Sequence, residues 1–322
     1  MGRMHCLAVA LLLALVFGSG AYAEEFPQRP LTVVVPAAAG GGGDTTTRLL
    51  ARDLETFLDQ PITIINQGQG GGVVGLTTLI NAKPDGYTIG LLFPYAGYSF
   101  TGQAHFSASD FTPIANFNGD SSSLVVAADS PFKNLKDALE ALKAAPSNYK
   151  IHCSGGCGSV WDVPVAAMML DYGIQVAKIG WIPGQGASTG LTELASKGVD
   201  FQTVSLPEAS SLMKAGLVRA LAVLSPSPVP GFEDVPLAGA TVGHAVDGGT
   251  WRALAGPAGL PPEVVKVWEK AVRGAVRSEE FRNAMATANF GVKWMGPDEL
   301  AALMTQHEKE TLRVMKALGY AK

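Results

Sequence analysis

The chain has 322 residues, 47% hydrophobic and 16% charged, with 24 Lys and Arg against 28 Asp and Glu. A formal net charge of −4 lacks the basic footprint of a nucleic-acid-binding protein, and the length exceeds what one core organises, so two lobes are expected. Gly, Pro or charge interrupts each apolar stretch short of the roughly 18 residues that span a bilayer.

Residues 1–23 combine Arg3, an apolar run from Leu7 to Phe17 and the small-x-small ending Ala21-Tyr22-Ala23. This is the layout of an export signal, so a periplasmic mature protein is expected to begin near Glu24. Next, Val33-Val34-Val35 runs into Ala39-Gly40-Gly41-Gly42-Gly43-Asp44-Thr45, which reads as strand, open loop and helix start with Asp44 as the cap. The layout returns at Ile62-Thr63-Ile64-Ile65, followed by Gly70-Gly71-Gly72 and Val73. Free N–H groups at a helix start favour anions, so the two loops are expected to flank one small acidic solute.

Pro84-Asp85-Gly86 marks a turn before a strand over Tyr87–Phe93, which makes the first lobe a parallel sheet with its ligand at the strand C-termini. A strand at Leu124–Ala128 and a helix that starts in Ser130–Asp137 and runs to about Ala144 open the second lobe. There the pattern gives strands at 149–152, 176–179, 199–204 and 218–224, with helices near 165–170, 191–196 and 209–215. Ser225 to Pro236 is a proline-rich excursion, Trp251–Ala255 a strand returning to the first lobe, and 262–276 and 297–318 closing helices. The boundaries are therefore 1–23 signal peptide, 24–123 first lobe, 124–248 second lobe and 249–322 return to the first lobe.

Cys153 and Cys157, the only cysteines beyond the signal, favour a short-loop disulfide in an oxidising compartment. Two free thiols, or a metal held with His152, are the alternatives, although no second Cys/His cluster completes a ligand set. No cofactor motif is present: the glycines are consecutive rather than spaced as a dinucleotide fingerprint, and there is no phosphate-loop Lys.

Taken in order, these residues resemble the receptors of the tripartite tricarboxylate transporter family, also called Bug receptors. The match rests on Pro30–Pro36 with Ala39-Gly40-Gly41-Gly42 and Asp44, Gln60-Pro61-Ile62 through Asn66, Gly71-Gly72, and Lys83-Pro84-Asp85-Gly86-Tyr87-Thr88. It continues through Gly156, Gly158-Ser159, Pro183, Gly186, Gly198-Val199-Asp200, Leu206-Pro207, Lys214-Ala215-Gly216, Arg219–Val223 and Pro257–Pro261. The resemblance implies an α/β, two-lobed periplasmic-binding-protein-like fold, mostly parallel sheets with a ligand cleft between lobes. It also implies a small organic carboxylate gripped by the glycine loops, and a partner permease with one large and one small membrane subunit. A monomer is expected. Family-typical residues are replaced at Gln67-Gly68-Gln69, at Val73, at Gly184-Gln185 and at Val204-Ser205, so the identity of the solute does not carry over.

The candidate contacts are therefore Ala39 to Gly43, Thr45 and Gly70 to Gly72 from the first lobe, with Ser154, Gly158, Ser159, Gln185, Gly186 and Ser205 from the second. Ser and Thr at helix starts also serve as caps, and Tyr95 and Tyr98 either line the cleft or pack beneath it. Trp251 and Arg252 lie on the strand between lobes, where strand alternation sends them to opposite faces. Arg252 either clamps a carboxylate or closes an ion pair. A runner-up function is an exported serine hydrolase, because Gly186-Ala187-Ser188-Thr189-Gly190 matches a nucleophile elbow, with Asp200, Asp234 or Asp247 and His244 or His307 as partners. Pro183-Gly184-Gln185 holds that serine away from the strand end, which favours a binding loop.

Overall fold

The computed structural model describes residues 26–154, 157–184 and 186–320, so the export signal and Gln185 lie outside the described residues. The first lobe opens with β1 (Leu31–Val35), α1 (Gly42–Leu58), β2 (Ile62–Asn66), α2 (Val73–Ile80), β3 (Thr88–Leu92) and a one-turn α3 (Gly97–Phe100). A 17-residue strand, β4 (Phe111–Ala127), then leaves for the second lobe. That lobe contains α4 (Leu135–Ala144), β5 (Lys150–Cys153), α5 (Asp162–Asp171), β6 (Gly180–Pro183), α6 (Ala187–Ala195), β7 (Phe201–Ser205), α7 (Leu206–Lys214), β8 (Val218–Val223) and α8 (Ala238–Val242). The chain returns through β9 (Gly249–Pro257) and closes with α9 (Pro262–Ala275), α10 (Glu279–Thr287), β10 (Val292–Met295) and α11 (Pro297–Ala317).

The strands follow one curled path, β2-β1-β3-β9-β4-β7-β5-β6, with β10 and β8 also paired to β4. β1 lies parallel to β2 and β3, and β5 parallel to β6 and β7, so the C-terminal ends of both sets face the junction between lobes. β4 belongs to both lobes. Its residues 111–121 pair antiparallel with β9 and its residues 122–127 with β7 and β8, so the expected boundary at 123/124 falls inside one continuous strand. The long strand was legible only in its apolar second half, because Asn116, Asn118, Asp120, Ser122 and Ser123 are polar yet buried. Asn116 and Asn118 spend their amides on the Lys293 and Gly291 carbonyls at the entry to β10.

Each lobe has its own core. In the first, Val33, Leu50, Leu54, Ile89, Trp268, Val272 and Phe281 close one sheet face under α1, α9 and α10. The other face holds Leu76, Leu79, Leu92, Tyr95, Trp251, Leu300 and Met304. In the second lobe, Leu124, Val126, Leu139, Ile151, Met168 and Phe201 form the main core. The run 176–179 is not a strand. Val176 and Ile179, three residues apart, both turn inward from a single 3₁₀ turn, and pairing with β5 begins only at Gly180. No helix among the described residues is long and apolar enough to cross a membrane.

Candidate functional site

The first glycine loop ends where α1 begins. Gly41 is its N-cap residue, so the N–H groups of Gly42, Gly43 and Asp44 form the open first turn. Asp44 is therefore not the cap but the third helical residue, reaching back to accept the Gly40 N–H at 2.8 Å. It also pairs with Arg48 at 2.8 Å and accepts from the Asn66 amide at 2.9 Å. Burial pushes the Asp44 carboxyl upward, but Arg48, the Gly40 N–H and Asn66 outweigh it and hold the group below the ordinary range. Its charge is thus spent within the loop. Thr46 and Thr47 turn their hydroxyls onto the Gly42 and Gly43 carbonyls, whereas Thr45 donates only its backbone N–H, to Gly41.

The second glycine loop presses backbone to backbone on the first. A Cβ on Gly68 would stand 2.6 Å from the Ala38 nitrogen, and one on Gly75 would stand 2.7 Å from Pro36 Cα. Gly70 and Gly71 adopt φ of 64° and 69°, the left-handed region that glycine supplies without strain. The Gly72 N–H is spent on the Gly68 carbonyl at 3.1 Å, so it does not offer itself to a ligand.

Arg252 stands beside the first loop, where its Nη2 would lie 2.9 Å from a Cβ on Gly42. Its Nη1 pairs with Asp120 at 2.6 Å and donates to Asn118 Oδ1, and the guanidinium lies 5.5 Å from the Phe290 ring centroid. Among the described residues the Nε and Nη2 donors have no hydrogen-bond partner. Of the two expectations for Arg252, the geometry shows the ion pair, through Nη1 to Asp120. Trp251 points to the opposite face, 94% buried against Leu300 and Met304 and edge-on to His307.

In the second lobe Cys153 and Cys157 are joined by a disulfide with their Cα atoms 5.1 Å apart. The loop they close is tied to Asp162, whose carboxylate accepts N–H bonds from Gly158 at 2.6 Å and Ser159 at 3.0 Å, and also the Ser159 hydroxyl. Burial raises the Asp162 carboxyl to about 6 against the pull of those bonds. Ser159 is thus a turn residue, and Ser205 caps α7 in a reciprocal box with Glu208. Ser154 accepts from the buried Gln202 amide at 2.8 Å, an arrangement invisible in the sequence because 48 residues separate the two. Gly186 opens α6 with free space where a Cβ would be.

Tyr95 is not a cleft residue. It is fully buried, and its hydroxyl donates to Glu308 on α11 at 3.0 Å because strand β3 ends beneath that helix. Tyr98, expected like Tyr95 to line the cleft or pack beneath it, donates its hydroxyl to the Gly71 carbonyl at 2.6 Å and steadies the second glycine loop, a role the sequence did not show. Ser188 is exposed on the first turn of α6, and no hydrogen bond joins it to a His among the described residues. His244 sits beyond α8, and His307 lies against Trp251 and Tyr95. Beside the crossing strands lies a separate cleft of about 1170 Å³, walled by α5, α11 and the 225–232 loop, which no glycine-loop residue lines.

Residues 46–320 match the model of the tripartite tricarboxylate transporter family receptor. A UPF0065 protein of Bordetella pertussis is 31% identical over 278 residues, spanning 85% of this chain and 84% of that one. A TctC solute-binding protein from Polaromonas, solved without ligand, is similar at 30% identity with a TM-score of 0.77, over 91% of this chain and 99% of that one. MatC from Rhodopseudomonas palustris, solved with bound malate, is similar at 26% identity with a TM-score of 0.73, over 90% of this chain and all of that one. With strands whose C-termini converge on a junction bridged by β4 and β9, and with a family match across nearly all described residues, this chain belongs to the solute receptors of the tripartite tricarboxylate transporter family.

Proposed function

We propose that this receptor binds a small organic carboxylate between its lobes and delivers it to a membrane permease of one large and one small subunit, without catalytic turnover. The observation that carries the reading is the pairing of the open first turn of α1 with the unpartnered Nη2 edge of Arg252. Backbone N–H groups and a guanidinium edge offer a carboxylate both positive potential and directed donors. Asp44 would repel such a ligand if its charge faced the loop, but Arg48, Asn66 and the Gly40 N–H absorb it. The malate held by MatC belongs to the same chemical class.

The test is a thermal-shift screen of carboxylates, sugars and amino acids on the ligand-free mature protein. A ligand at 100 times its Kd stabilises the fold by about 2.7 kcal/mol, so an affinity near micromolar, about −8 kcal/mol, gives a clear rise at sub-millimolar ligand. Carboxylates should raise the melting temperature. A rise with sugars or cationic amino acids, and none with any carboxylate, would sink the reading.

A further inference from the structure

The two lobes meet backbone to backbone at one pair of glycines. A Cβ on Gly97, the first residue of α3, would overlap the carbonyl oxygen of Gly158, which directly follows Cys157 of the disulfide in the other lobe. On the far side, a Cβ on Gly158 would stand 2.9 Å from Met315 Cε on α11, and Gly158 has a φ of +90°. Only glycine at both positions allows so close an approach.

Each partner is held from behind. In the second lobe, the Cys153–Cys157 disulfide closes the turn just before Gly158, and Asp162 accepts the Ser159 N–H at 3.0 Å, which fixes where the Gly158 carbonyl in the same peptide plane points. In the first lobe, Tyr98 follows Gly97 on the same helical turn, and its hydroxyl donates to the Gly71 carbonyl at 2.6 Å. The Tyr98 N–H in turn donates to Tyr95, which Glu308 anchors. One four-residue helix therefore grips the second glycine loop through Tyr98 and touches the opposite lobe through Gly97.

We propose that the Gly97–Gly158 contact is a closure latch, and that both glycines are positioning residues for solute binding: they touch no solute but set how much of the protein occupies the closed form. The proposal rests on the receptor reading above. Solute against Gly70–Gly71 favours one setting of Tyr98, and that setting presents Gly97 to Gly158. If only the closed form binds tightly, the measured Kd is the intrinsic Kd divided by the closed fraction, so loss of the latch weakens binding without removing any ligand contact.

The experiment compares wild-type mature protein, Gly97→Ala, Tyr98→Phe and the Cys153→Ser/Cys157→Ser double variant, each titrated with malate by calorimetry and measured by small-angle X-ray scattering. Gly97→Ala should weaken malate about tenfold or more and enlarge the radius of gyration, while circular dichroism stays that of the folded protein. Tyr98→Phe and the double Ser variant should weaken malate by roughly three- to tenfold. Malate affinity and scattering in Gly97→Ala equal to wild type would overturn the latch. Should Gly97→Ala not fold, an unchanged affinity in Tyr98→Phe overturns it instead. A wild type that ignores every carboxylate but expands on Gly97→Ala would refute the carboxylate reading and leave the latch standing.

Discussion

Truncating Arg252 to Ala tests the site at its most loaded point, because the side chain serves both the crossing strands and the proposed solute. Arg252 and Asp120 are 12% and 5% exposed, and their 2.6 Å pair joins adjacent crossing strands. Removing one partner of a buried pair costs about 3–5 kcal/mol, because the other charge stays buried and unpaired. Asp120 would keep the Gly291 N–H at 3.0 Å and the Asn118 amide at 3.4 Å, which places Arg252→Ala at the low end, about 3 kcal/mol. At roughly 2 °C per kcal/mol for a chain of this size, the melting temperature should fall by about 6 °C. Urea unfolding followed by tryptophan fluorescence measures the loss directly, with the denaturant slope unchanged. Replacing both charges while keeping an acceptor for the Gly291 N–H, as Arg252→Met with Asp120→Asn, should restore stability to within about 1 kcal/mol of wild type. That double variant should still fail to bind malate, since stability returns but the Nη2 edge does not. If Arg252→Ala loses less than about 1 kcal/mol, the pair behaves as a solvated surface bridge and the buried-clamp reasoning is wrong.

Four further outcomes are expected. Gly75→Ala should cost about 2–3 kcal/mol by urea unfolding, because its Cβ would meet Pro36 Cα at 2.7 Å and the Gln67 carbonyl at 2.8 Å, both backbone; a neutral result would show that the two loops slide freely. Burial lowers His307 from the usual 6.5 to about 4, so the stability it contributes is present above pH 6.5 and is lost as pH falls toward 4. Relative to His307→Phe, wild type should lose up to about 3 kcal/mol across that window, and parallel pH curves would refute it. A fluorophosphonate probe should leave Ser188 unlabelled, whereas stoichiometric labelling would restore the hydrolase. N-terminal sequencing of the exported protein should begin near Glu24, and retention of Arg3 in the mature chain would contradict the export signal.

Some of this molecule is written locally. Four glycines between an apolar β-branched strand and a polar helix start can only make an open turn of close-approaching backbone, so both loops and their parallel strands were readable from Val33 to Val73. Period-two alternation likewise put Trp251 and Arg252 on opposite faces before any packing was known. The buried polar half of β4 was not readable, because its asparagines and Asp120 look like loop residues until Gly291, Lys293 and Arg252 come to meet them from more than 130 positions away. Hydroxyl roles were also undecided in sequence: Ser159 became a turn residue, Ser205 a cap, and Tyr95 went under α11, because Asp162, Glu208 and Glu308 reached them first.

Which segments expose backbone N–H groups and which bury apolar side chains follows from neighbours within a few residues, so it is already legible in the chain. Which charges are already spent emerges only from the packed fold. An ionic group takes the partner that the fold brings within 3 Å, and that choice left Asp44 neutralised by Arg48 and Asn66 while one edge of Arg252 stayed open beside Gly42.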